Sequence, residues 1–417
     1  MHNAKLTNGS LKAIAALSSG ALIAQLLTFA CSPLLTRLYT VEQVGLFTFV
    51  LSVVSMFSGV ICLRFDVTLV TSGSDGQFGA LLKLCAVLTL ALSAIVGGLA
   101  IVYAYATLGS SDWWVAVFVF PLLVIAGAIN ILNACNNRSE KYGVIGRAYA
   151  KRSVAQNSFM VLGGLILPGT FTLLFSQLFG QISGIAEQFK GLGDDWKKGA
   201  RASRADAAAA AIDNKSQALF SAPATLLNAA SYSLVSLCVG DIFGMAALGL
   251  YSVSYRVLGA PLTIFSSNIA KVHCKQAEKD IARTSNYFRC TVRMILLSVV
   301  IIAPIAFLLF AFSPPAFSFF FGSDWYSAGV YVQMLVPMFC LRFVAGSIGF
   351  GFFLSGKQRQ EMVIQALLLV SLIAVVVATK ACGFGMESFL YLLSFVWSLI
   401  YAAEIGLCIL NSRKGHR

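Results

Sequence analysis

Charged residues are scarce in this chain and make up only 11% of its 417 residues. A soluble domain usually carries about a quarter charged residues, which excludes the ordinary soluble globular class. The chain is instead 58% hydrophobic, with a mean hydropathy of +0.82. Apolar runs of membrane-spanning length recur along it, and this pattern predicts a multispanning helical membrane protein.

The sequence also lacks the residue patterns of disulfides, metal sites, histidine proton carriers and enzyme active sites. The ten cysteines are scattered singly, without a CxxC pair or the spacing of metal ligands, so we expect no disulfide and no metal. The three histidines, His2, His273 and His416, lie in predicted loops or tails and offer no membrane-embedded proton carrier. The sequence contains no nucleophile–base pattern, GxGxxG sequence or GKT-type phosphate loop. We therefore predict a protein that is not an enzyme and has no cofactor.

Apolar runs of about 18 residues or more predict twelve membrane spans. The spans are predicted at 11–35, 42–64, 78–106, 113–132, 149–168, 170–188, 218–239, 246–270, 291–312, 328–353, 362–379 and 388–410. Only Pro168-Gly169-Thr170 separates the fifth span from the sixth. A single helix over both would be about 60 Å long, twice the hydrocarbon core, so a tight turn at this point is predicted.

The basic residues predict the orientation of these spans. With the N-terminus inside, the outer turns keep only Arg37 and Lys380, while Arg256 and Arg342 lie within spans. All other Lys and Arg residues fall in inner segments or at the inner ends of spans, as the positive-inside rule requires. This distribution also accounts for the net charge of +13 without a nucleic-acid partner. Both termini are predicted to be cytoplasmic.

A polar stretch near the middle of the chain predicts a division into two halves. We expect an N-terminal six-helix lobe over 1–189, a cytoplasmic linker with a short surface helix over 190–217, and a C-terminal six-helix lobe over 218–417. An even number of spans in each half gives the halves the same direction through the membrane. The predicted fold is therefore an all-α polytopic membrane protein with two lobes related by a pseudo-twofold axis normal to the membrane, and a substrate cavity between them.

Charged residues inside spans are costly and mark either a transport pathway or a paired structural site. Arg256 and Arg342 lie near the middle of their spans, Glu404 lies in the last span, and Arg64 and Asp66 lie at the inner end of the second. The arginines could line a cationic cavity for an anionic substrate, or one could pair with Glu404, and Arg64 could instead extend to the membrane surface. Glu404 and Asp66 are candidates for ion coupling or for structural pairing.

Three patches of the sequence carry a family resemblance. The first joins LLTRLYT at 34–40, GLF at 45–47 and LRFD at 63–66. The second is GLYSVSYRVL at 249–258. The third runs from GSDWYSAG at 322–329 through Leu341-Arg342-Phe343 to Gly356-Lys357. In order and spacing they resemble the Wzx-type O-antigen flippases, of the polysaccharide transporter family within the multidrug/oligosaccharidyl-lipid/polysaccharide exporter superfamily.

The resemblance implies a function in the synthesis of lipopolysaccharide O-antigen or a related surface polysaccharide. The implied substrate is an undecaprenyl-pyrophosphate-linked oligosaccharide, flipped from the cytoplasmic to the periplasmic leaflet of the bacterial inner membrane by alternating access. Membrane lipids, a polysaccharide polymerase and glycosyltransferases are the implied partners. The alternatives are a cation-coupled multidrug extruder of the same fold and a non-transporting scaffold of a polysaccharide assembly complex. The predicted helix count disfavours a fourteen-helix lipid II flippase.

Overall fold

The protein is described by a computed structural model that covers residues 24–193, 195–284 and 286–414. Within these ranges the chain is almost wholly helical and contains no strand. Its internal contacts divide it into two compact units, Met1–Ala229 and Ala230–Arg417. The lobe and linker bounds given by the sequence stay predictions, as does the pseudo-twofold axis.

The first unit begins, in its described part, with helix α1 over residues 24–38. The helices that follow are α2 (Val41–Ser58), α3 (Phe65–Thr71), α4 (Asp75–Asp112), α5 (Val119–Arg138), α6 (Tyr142–Ile166), α7 (Thr170–Leu192), α8 (Asp195–Arg201) and α9 (Arg204–Asp213). A 3₁₀ segment, Trp113–Phe118, joins α4 to α5. The predicted turn between the fifth and sixth spans is confirmed, because α6 ends at Ile166 and α7 begins at Thr170.

The boundary between the units lies in the first turns of the long helix α10. The remaining helices are α10 (Ala222–Thr284), α11 (Phe288–Phe321), α12 (Tyr326–Ile348), α13 (Phe350–Leu354), α14 (Gln358–Cys382) and α15 (Met386–Lys414). A backbone break at Gly244, with φ 87° and ψ 173°, divides α10 into two arms. Glycine adopts this conformation because it has no Cβ to clash with the backbone.

The predicted fold class is confirmed: the chain is an all-α, multispanning membrane protein. Seven stretches of the described residues are long and apolar enough to cross a membrane. Two of them, Asp75–Arg138 and Gln217–Ile281, each hold two predicted spans, divided by breaks at Gly109 and Gly244. Helices α6 and α7 occupy the positions of the fifth and sixth predicted spans, and α1 covers the part of the first predicted span from residue 24 onward, since residues 11–23 lie outside the described ranges. In α6 the basic side chains near its start lower the hydropathy below that of an ordinary span.

The helix at the position of the second predicted span, 42–64, is shorter than predicted. Helix α2 starts with a capping box between Thr40 and Gln43 and ends at Ser58, six residues before the predicted end. The reason is a tertiary contact: Asn130 Nδ2 of α5 donates a 2.8 Å hydrogen bond to the Ser58 carbonyl oxygen. This bond satisfies a carbonyl at the helix end, so the chain can turn through residues 59–64 before α3 begins.

The linker forms two helices rather than the single one predicted, and both pack on α4. A capping box starts α9, and its hydrogen bonds from Ser203 hold the pKa of Asp206 below its usual value. Lys83 Nζ of α4 donates a 2.6 Å hydrogen bond to the Ala202 carbonyl oxygen. Lys198 Nζ lies 2.9 Å from Asp75 Oδ1 at the start of α4. The linker is therefore held against the first unit.

The inner loop predicted around His273 is also helical. His273 lies within α10 and is fully buried against α11, where its Nε2 is 3.1 Å from Thr291 Oγ1. The sequence interpretation of this histidine as a loop residue was wrong, because α10 continues beyond the apolar stretch that marked the span.

The contact between α4 and α8 can be tested at Gly79. A Cβ at this position would lie 2.6 Å from the Lys198 carbonyl oxygen. Overpacking costs about 1–3 kcal/mol, and each 1.4 kcal/mol or so is about tenfold in an equilibrium. We therefore expect Gly79→Val to raise the rate of tryptic cleavage after Lys198 and Arg201 about tenfold or more. Gly76→Val is the matched control, since no atom lies within 4 Å of its Cβ. Equal cleavage of both variants would show that α8 is not held there.

Candidate functional site

The second unit contains a cavity of about 590 Å³ among helices α10, α12, α13, α14 and α15. Charged and amide side chains from four of these helices line it. These residues are Lys271, Arg342, Gln358, Glu361, Gln365 and Glu404. Glu361 and Gln365 are four residues apart on α14, which places both on one face of the helix. The cavity thus brings together two of the sequence-predicted site residues, Arg342 and Glu404.

The Arg342 guanidinium is surrounded by aromatic side chains. Its Nη1 donates a 3.0 Å hydrogen bond to the Tyr255 hydroxyl. Its Cζ lies 4.2 Å from the centre of the Tyr232 ring and 5.5 Å from that of Phe339. At these distances the negative faces of the rings attract the cation. We call these three aromatic residues, Tyr232, Tyr255 and Phe339, the arginine cage.

Further contacts hold the cage in place. The Tyr232 hydroxyl lies 3.2 Å from the hydroxyl of Tyr401 on α15, and the Trp397 ring meets the Tyr232 ring edge-on at 5.8 Å. Tyr255 packs edge-on against Phe339 at 5.4 Å. Cage residues on α10 and α12 are therefore linked to α15, and the position of Arg342 is set by three helices.

The break in α10 makes the cage possible. In one straight helix Tyr232 and Tyr255 would stand about 35 Å apart, because each residue adds about 1.5 Å. In the structure both contact the same guanidinium, since Gly244 lies between them and reverses the direction of the chain. A residue with no Cβ at this single position thus determines the geometry of the site.

Glu404 lines the same cavity and is only 8% exposed. Among the described residues it makes no hydrogen bond, and no ion pair within 4 Å joins it to Arg342 or Arg256. The structure therefore does not contain the arginine–glutamate pair that the sequence left open. A positive and a negative side chain face one cavity without direct contact.

The structure places Arg256 apart from this arrangement. It is partly buried on α10, directly after Tyr255, but it does not line the cavity. The described residues offer its guanidinium no hydrogen bond or ion pair. The two embedded arginines of the second unit therefore lie in different surroundings.

Arg64 and Asp66 lie in the first unit, where the chain turns between α2 and α3. Leu63 and Arg64 have φ angles of 47° and 64°, values that cost energy in residues other than glycine. Arg64 Nε and Asp66 Oδ1 are buried, and neither has a hydrogen-bond partner among the described residues. They are two residues apart in the chain and form no ion pair with each other within 4 Å.

The sequence interpretation missed the cage. It gave no role to the aromatic residues of the spans, whereas Phe339 of the cage is 2% exposed and Tyr401 beside the cage is 3% exposed. The available signal was the tyrosine directly before Arg256 in GLYSVSYRVL. Among the described residues no group of three or more His, Cys, Asp or Glu side chains could hold a metal ion.

Solved structures with the same fold are membrane transporters. The lipid II flippase MurJ, in an inward closed conformation, matches with a TM-score of 0.71 at 12% identity, over 96% of this chain and 88% of that one. The MATE multidrug transporter DinF-BH gives 0.62 at 14% identity, over 97% and 95%. A MOP superfamily transporter from Pyrococcus furiosus, with a binding pocket described as of reverse polarity, gives 0.59 at 12% identity, over 96% of both chains.

These likenesses define the class: the chain has the fold of the MOP superfamily transporters, which have two lobes. The family follows from sequence. The profile of the polysaccharide biosynthesis protein family matches residues 74–329, more than half of the chain. The chain belongs to this family. No curated protein sequence matches it significantly.

A double-mutant cycle tests the arginine cage. Tyr232→Leu removes the ring beside Arg342, whereas Tyr232→Phe keeps the ring and loses only the hydroxyl contact with Tyr401. We expect Tyr232→Leu to lower the unfolding free energy of the purified protein. In the Arg342→Ala background the same substitution should cost about 0.5–2 kcal/mol less, and this difference is the coupling energy between the two residues. Tyr232→Phe should show a coupling to Arg342 near zero. Equal coupling for both variants would contradict a contact between the ring face and the cation.

Proposed function

We propose that this chain is a flippase for undecaprenyl-pyrophosphate-linked oligosaccharide repeat units. It would move them from the cytoplasmic to the periplasmic leaflet of the bacterial inner membrane, for O-antigen or a related surface polysaccharide. Family membership and the transporter fold support a role in transport rather than catalysis. The cytoplasmic position of both termini and a partnership with a polymerase and glycosyltransferases belong to the same proposal.

One observation carries the choice of substrate: the guanidinium of Arg342 faces the cavity and is in direct contact with aromatic groups, while the cavity carboxylates of Glu361 and Glu404 form no ion pair with it. The cage supplies ring faces and one hydroxyl, and these groups stabilise a cation without cancelling its charge. A guanidinium stays charged when it leaves water and binds phosphate oxygens in pairs. A diphosphate is therefore a fitting ligand for this cavity.

The roles of the other site residues predicted from the sequence are part of the same proposal. Glu404 faces the cavity as an acid for ion coupling or structural support. Arg256 and Arg64 stay proposed substrate contacts, and Asp66 a proposed ion-coupling or structural acid. Neither of these two arginines lines the cavity of the second unit, so their roles would depend on another part of the transport pathway.

Gene deletion with complementation tests this proposal. We expect deletion to remove the surface polysaccharide and to make lipid-linked repeat units accumulate. Wild type should restore the polymer and Arg342→Ala should not. Loss of a charged hydrogen bond costs about 1.5–3 kcal/mol, or about ten- to a hundredfold in binding. Arg342→Lys should restore only part of the polymer, because it keeps the charge but loses the paired geometry.

Arg289→Ala is the matched control, since Arg289 is exposed at the start of α11 and does not line the cavity. It should complement fully, and all variants must reach the membrane in equal amounts. Unchanged polymer on deletion, with greater sensitivity to cationic drugs, would replace the flippase by a multidrug extruder. Full complementation by Arg342→Ala would favour a non-transporting scaffold.

A further inference from the structure

Helices α14 and α15 form a pair with two different faces. One face carries Glu361, Gln365, Tyr401 and Glu404 into the cavity described above. The other face forms a second, separate groove of about 410 Å³, and its lining is almost wholly apolar. The groove needs an explanation because it is open, apolar and has a cation at one end.

The spacing of residues along the two helices forms this groove. Arg359, Val363 and Leu367 follow one another at four-residue intervals on α14, as do Leu399, Ala403 and Leu407 on α15. The short side chain of Ala403 leaves a slot between its larger neighbours. The floor includes Ile364, which is 4% exposed, while Val363, Leu367 and Leu399 are each about half exposed at the walls. The eight-residue separation of Arg359 and Leu367 on α14 gives the slot a length of about 12 Å.

A cation lies at the polar end of the groove. Arg359 is exposed in the second residue of α14, and among the described residues its guanidinium has no hydrogen bond or ion pair. The polar groups around it are already engaged: Lys357 Nζ donates to Asn411 Oδ1, and Asn411 Nδ2 donates to Gln360 Oε1, both at 2.8 Å. The nearby acid, Glu361, lines the cavity on the other face. Arg359 is thus free to bind an anion.

We propose that this groove binds an anionic phospholipid of the surrounding bilayer, with one acyl chain in the slot and the phosphate at Arg359. Charge complementarity decides the occupant, because a free guanidinium at the end of a span pairs with a phosphate at the membrane surface. The slot length matches part of a single acyl chain. This inference does not depend on the proposed transport function, since a bilayer lipid would bind whatever the cavity carries.

Lipid retention by the purified full-length chain tests the site. The protein in mild detergent is mixed with equal amounts of phosphatidylglycerol and phosphatidylethanolamine, and native mass spectrometry counts the bound lipids. We expect wild type to retain about fivefold more phosphatidylglycerol than phosphatidylethanolamine, because one cation near the membrane surface supplies a preference of about this size for an anionic lipid. Arg359→Gln should reduce that ratio to about one. Ala403→Leu, which fills the slot, should reduce retention of both lipids.

Matched controls separate the groove from the general surface. Ala402→Leu adds the same side chain to the neighbouring exposed residue, and Arg289→Gln removes an exposed cation elsewhere; both should behave as wild type. Every variant must keep the wild-type melting temperature. The proposal would be overturned if Arg359→Gln left the ratio of the two retained lipids unchanged. It would also be overturned if Ala403→Leu and Ala402→Leu reduced lipid retention equally. Displacement of phosphatidylglycerol by an equimolar polyprenyl phosphate would overturn it too, because the groove would then hold a polyprenyl tail.

Discussion

The contact between Arg342 and its aromatic cage is the interaction on which the site depends. A charge within a membrane protein is usually neutralised by an opposite charge, and the resulting pair has little left to offer a ligand. Here Tyr232 and Phe339 present ring faces and Tyr255 accepts a hydrogen bond. The cation is stabilised without an ion pair to Glu361 or Glu404, which line the same cavity. Stability and availability for an anion are therefore achieved by the same contacts.

This arrangement places demands on the backbone. Two cage residues come from opposite arms of α10, so the break at Gly244 must bring them together. Tyr401 of α15 fixes Tyr232 through its hydroxyl, and α15 also carries Glu404 into the cavity. The pair α14–α15 then has to serve two environments, with polar residues on the cavity side and an apolar groove on the other.

Much of the fold could be predicted from the sequence, because span length and the position of charges are properties of consecutive residues. The same information placed Arg342 and Glu404 as embedded charges. It could not show the distance between them, which depends on how α12 packs against α15. The end of α2 at Ser58 could not be predicted for a similar reason. The sequence stays apolar to Leu63, and the hydrogen bond that Asn130 donates to Ser58 comes from another helix. The cage was missed because tyrosine is common in membrane helices and only packing brings its ring to a cation.

The most direct test of the central claim is translocation in proteoliposomes containing the purified protein. Two fluorescent polyprenyl-linked oligosaccharides are compared, one joined through a diphosphate and one through a neutral linker. The account predicts that wild type moves the diphosphate lipid much faster, and that Arg342→Ala loses this advantage while its rate for the neutral lipid is unchanged. Equal transport of both lipids by wild type, or an unchanged preference in Arg342→Ala, would contradict a cationic cavity that recognises the diphosphate.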